Sequence, residues 1–83
     1  MNPGQCRAAR ALLDWTQPKL AGKATLGLST IVDFERGRRA VSIEAVAQMQ
    51  LALESAGVEF TNGDQPGVRM KKKDRKGEAV TGP

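Results

Sequence analysis

A proline at position 18 constrains the first half of this chain more than any other residue does. Proline lacks the amide that an interior helical residue donates, so it is tolerated only in a first turn. Thr16, two residues earlier, has a hydroxyl suited to cap the exposed amides of a helix start. One helix therefore begins just before Pro18, with Leu20, Ala21 and Ala24 as its buried face. Thr25-Leu26-Gly27 breaks that pattern. Another short helix follows from about Leu28 to Arg36, with Ile31 and Phe34 three apart on one face and Gly37 as its C-terminal stop.

The flanking segments read as helices too. In Asn2-Pro3-Gly4-Gln5, Asn2 can cap, Pro3 suits the first helical position and Gln5 can reach back to the cap. Cys6, Ala8, Ala9, Leu12 and Leu13 carry the helical period to about Asp14 or Trp15. Ser42 or Val41 opens a last helix that runs to about Ala56. Val46, Met49, Leu53 and Ala56 form its stripe, while Ala47 and Leu51 lie off it as a second apolar strip. Trp15, Ile31, Phe34, Val46 and Leu53 are the expected core, with Cys6 as a small buried residue.

Beyond Gly57 the period changes. Val58-Glu59-Phe60 and Val68-Arg69-Met70 alternate, and the segment between them is rich in turn residues. Two short strands in a hairpin are expected, supported by the helices or by a second subunit. The tail, residues 71–83, is charged and almost without apolar residues, so disorder is expected there. The fold class is all-α: a compact bundle of four to five helices, then a short β-hairpin and a disordered basic tail. The units are 1–57, 58–70 and 71–83.

Size and composition narrow the chemistry. At 83 residues the chain makes one small domain, which argues against a large active-site cleft. It has no histidine and one cysteine, which excludes a disulfide within the chain and zinc ligation by Cys and His. Asp33 and Glu35, two apart on a helix, point different ways and make no acid–base pair. An enzyme is not expected, nor a cofactor or a metal. There is no apolar run long enough to span a membrane and no apolar signal region, so the expected location is cytoplasmic. The net charge of +4 is concentrated in the tail. Residues 71–83 hold five basic against two acidic groups, and residues 1–70 hold eight against seven.

The stretch from Thr16 to Gly37 resembles the helix-turn-helix of the phage-repressor-like, or xenobiotic-response-element (XRE), family. The matching residues are Thr16-Gln17, Leu20-Ala21, Ala24, Ser29-Thr30-Ile31 and Phe34-Glu35-Arg36-Gly37. Arg7-Ala8-Ala9-Arg10-Ala11-Leu12-Leu13 with Trp15 resembles the family's first helix. Ala52-Leu53-Glu54 and Ala56-Gly57-Val58-Glu59-Phe60 resemble small bacterial members, so the likeness covers roughly residues 3–70. Two positions depart from the pattern. Thr25 stands where the turn usually has Gly or Asn, and Gly27 where a capping Ser is expected. A left-handed turn is awkward for a β-branched residue.

The resemblance implies a sequence-specific transcriptional regulator, a repressor or dual regulator, that binds double-stranded DNA as a homodimer at a palindromic operator. It assigns base contacts to Leu28, Ser29, Thr30, Val32 and Asp33, the outward residues of the recognition helix. Phosphate contacts fall to Gln17, Lys19, Lys23, Arg36, Arg38 and Arg39. Dimerisation is expected through Ala47 and Leu51 and through the strand edges carrying Val58, Phe60, Val68 and Met70. A different class stays open: a protein-binding module that silences a transcriptional activator, with Leu28, Val32, Leu51 and the strand edges as contacts.

Overall fold

A computed structural model describes residues 1–38, 40–61 and 63–71. Four helices and a hairpin follow in chain order: α1 (Pro3–Leu13), α2 (Gln17–Ala24), α3 (Leu28–Arg36), α4 (Ile43–Ser55), β1 (Val58–Thr61) and β2 (Gly67–Met70). Among the described residues no helix is long and apolar enough to cross a membrane.

Local chemistry accounts for the helix boundaries. The Asn2 side chain accepts from the Gln5 amide at 2.7 Å while the Gln5 side chain accepts from the Asn2 amide at 2.9 Å, a reciprocal capping box. Thr16 accepts from the Lys19 amide at 3.2 Å and Ser42 from the Ala45 amide at 3.1 Å. Gly27 opens α3 with no side-chain cap. α2 ends on Thr25 with φ 59° and ψ 45°, so the turn into α3 does hold a threonine in the left-handed region. Gly37 ends α3 at φ 64°.

β1 and β2 pair antiparallel with Val58 opposite Met70 and Phe60 opposite Val68. Each strand is one residue longer than its alternating pattern suggested. The Lys71 amide extends the ladder by donating to the Gly57 carbonyl at 2.6 Å. Gly57 has φ 110°, and a Cβ there would meet the Met70 methyl at 3.3 Å, so this position requires glycine. The hairpin is joined to the bundle by Gln5, whose Nε2 donates to the Thr61 and Gly67 carbonyls at 3.1 Å each. The expected disordered tail from residue 72 onward lies outside the described residues.

The core consists of Cys6 and Ala9 from α1, Leu20, Ala21 and Ala24 from α2, Ile31 from α3, Met49 and Leu53 from α4, and Val58 from β1. The small Ala21 and Ala24 leave α2 room to pack against both α3 and α4. Ile31 and Leu53 are fully buried as expected. Trp15, Phe34 and Val46 are half-buried at the rim instead. A core built from short helices and four alanine- or cysteine-sized side chains has no interior volume for two aromatic rings. Val58 needs a further correction. At 2% exposure its side chain belongs to the core of its own chain, so only the backbone edge of β1 is open at that position.

Candidate nucleic-acid interface

Glu35 lies four residues after Ile31 and so shares its inward face on α3. It is 3% exposed, and its carboxylate is fully engaged. Oε1 accepts from Arg10 Nη2 at 2.7 Å and from Gln17 Nε2 at 3.0 Å. Oε2 accepts from Arg10 Nε at 2.7 Å and from the Cys6 thiol at 3.1 Å. Arg7 Nη1 donates to the Glu35 carbonyl. Burial by itself would raise the Glu35 pKa, but the donors Arg10, Cys6 and Gln17 together hold it below the usual carboxylate value. Burial, reinforced by the bond to Glu35, pushes the Cys6 thiol well up, so it stays protonated and donates. One carboxylate thus ties α1, α2 and α3 together and sets how α3 is held against the bundle.

The opposite face of α3 is open. Ser29, Asp33 and Arg36 follow one another at helical spacing on its outermost line. Ser29 and Arg36 are exposed and Asp33 is half-buried. Beside that line run Leu28, 46% exposed, and the half-buried Val32, one turn apart. Thr30 is half-buried on the other flank.

Of the residues expected to meet phosphate, Lys19, Lys23, Arg36 and Arg38 are exposed, and Arg39 lies outside the described residues. Gln17 is half-buried and held by Glu35 rather than extended into solvent. Arg36 and Gln17 come together at an open depression of about 750 Å³ beside the start of α2, lined also by Arg7, Arg10, Thr16 and Glu35. Arg10 is neutralised there by Glu35, so Arg7 and Arg36 leave the depression positive. Lys23 lines a different groove of about 350 Å³, between the end of α2 and Leu51 and Gln48 of α4.

The residues expected at a dimer interface separate into two places. Ala47 is exposed and Leu51 is 63% exposed on α4. Ile43, 84% exposed and one turn before Ala47, extends that strip and was not expected there. Phe60 and Val68 are half-buried against the core, and Met70 is exposed at the far end of β2. Sequence reasoning also missed Arg7, Arg10 and the role of Glu35. The signal was present: a carboxylate on the same helical face as Ile31 must find a cation, and α1 offers two arginines.

No family model matches the chain, and no curated protein matches its sequence.

Proposed function

We propose that this protein is a sequence-specific DNA-binding transcriptional regulator of the XRE type, a repressor or dual regulator working in the cytoplasm. In this reading α2, its turn and α3 form the helix-turn-helix, and α3 enters the major groove of double-stranded DNA. The observation that carries it is the state of α3. Its inner face is clamped by the Glu35 carboxylate to α1 and α2, and its outer face is open between exposed cations. Lys19, Lys23, Arg36 and Arg38 position the protein on phosphates, and the depression bearing Arg7, Gln17 and Arg36 seats one of them. The resemblance of residues 16–37 to the XRE family supports the same assignment.

A palindromic operator is read by two copies of the chain. The exposed strip Ile43, Ala47 and Leu51, with Met70 and the open strand edges, supplies the contact between them.

The exposed Leu28 favours a second reading, in which α3 docks on a transcriptional activator and silences it. Footprinting on the DNA upstream of the protein's own gene, with gel shifts against scrambled duplex, separates the two. Protection of a short symmetric site, at a concentration that leaves scrambled duplex free, is the expected result. No preference for any duplex overturns the DNA reading and leaves the activator-binding one.

A further inference from the structure

Base pairs differ in the major groove by their donors, their acceptors and one apolar group, the C5-methyl of thymine. Bidentate reading of guanine takes Arg or Lys, and of adenine Asn or Gln. The first two turns of α3, Leu28-Ser29-Thr30-Ile31-Val32-Asp33, contain none of these. Their outermost line carries the hydroxyl of Ser29 and the half-buried Asp33, and beside it runs the ridge of Leu28 and the half-buried Val32, one turn apart. What such a ridge offers a ligand is an apolar surface, whose matching group on a base pair is the thymine methyl. The exposed cations Lys19 and Lys23 on α2, and Arg36 and Arg38 at the end of α3, favour a polyanion over an apolar protein surface as the body that brings it.

We infer that the ridge of Leu28 and Val32 recognises thymine methyl groups, so that the half-site is a T·A-containing step read mainly by apolar contact. This rests on the DNA-binding reading above and names what that site selects. Arg36, a full turn further along α3, remains outside this readout and serves the backbone.

The test uses the full chain. A binding site is first selected from random duplexes, and each thymidine in it is then replaced singly by deoxyuridine. Uracil pairs with adenine by the same hydrogen bonds and lacks only the methyl. Affinity falls about fourfold at each contacted position, the value of burying one methyl-sized group. The Leu28→Ala variant loses affinity for the thymine site and no longer distinguishes uracil from thymine at one of those positions. Val32→Ala does the same at a neighbouring one. Leu28 is open to solvent, so Leu28→Ala keeps the wild-type melting temperature. Specific binding that tolerates uracil at every position overturns the methyl inference and leaves the DNA reading standing. Selection that enriches no duplex overturns both.

Discussion

Arg10 of α1 and Glu35 of α3 are joined by two parallel hydrogen bonds of 2.7 Å, across 25 residues of chain, with the carboxylate buried and the guanidinium mostly so. Paired in this fork geometry, the two groups satisfy each other. Separated, each is a charge away from water. Arg10→Ala therefore costs about 3–5 kcal/mol, the penalty for stranding a buried partner. Glu35 also makes stability depend on pH. Its folded pKa is depressed, so its contribution is present in full above the unfolded carboxylate value of about 4.3 and is lost as the pH falls through the folded value. Urea titrations over that range show the loss in the native chain and a flatter profile in Glu35→Gln.

Thr25 closes α2 in the left-handed region, with its side chain exposed. That conformation costs an L-residue about 1–2 kcal/mol, of which glycine's extra chain entropy offsets part. Thr25→Gly is expected to stabilise the protein by about 0.5–1 kcal/mol, read as a higher denaturant midpoint at unchanged slope. A lower midpoint would show that the Thr25 side chain supports the turn.

Gln5 completes the α1 cap and holds both strands of the hairpin through one amide. Gln5→Ala removes the three bonds made by the side chain, leaves the bond from the residue 5 backbone amide to Asn2, and costs about 2–3 kcal/mol. Amide exchange resolves the two roles. Protection should fall throughout β1 and β2 and at the start of α1, and change least in α3.

Under the proposed DNA-binding reading, phosphate-facing and base-facing residues are expected to fail differently. Arg36→Ala weakens binding to all sequences by a similar factor and lowers the salt slope by about one. Gln17→Ala leaves the slope unchanged because it removes no charge, and since its amide is bonded to Glu35 its effect on affinity comes through the placing of α3. Ser29→Ala narrows the gap between operator and scrambled duplex by up to about 1 kcal/mol, the value of a single neutral hydrogen bond. Anisotropy titrations at several salt concentrations distinguish these patterns, and an Arg36→Ala variant with unchanged affinity and slope contradicts the assignment.

Leu51→Glu places a charge at the C-terminal end of the α4 strip while leaving the core untouched, since Leu51 faces solvent. Light scattering at high micromolar concentration is expected to give a dimer for the native chain and a monomer for the variant. A native chain that stays monomeric with and without DNA rules out the strip as a self-association surface.

The helix ends and the hairpin were legible in the sequence because their causes are local. Pro18 cannot donate an amide, Gly37 takes a positive φ, and Asn2 and Gln5 satisfy each other three residues apart. The helical periods of α1 to α4 placed Leu20, Ala21, Ala24, Met49 and Leu53 inside for the same reason. What residues far apart in the chain do to one another was not legible. Glu35 had no visible partner until α1 packed across α3 and brought Arg10 and Cys6 to its carboxylate. Val58 read as a strand-edge residue, and the packing of β1 onto α4 buries its side chain, while Trp15 and Phe34 read as core and lie half-buried against it. A cap or a φ constraint acts within about one turn of chain. Burial and charge pairing depend on which surfaces meet, and here only the packing of α1 and the hairpin onto the other helices decided that.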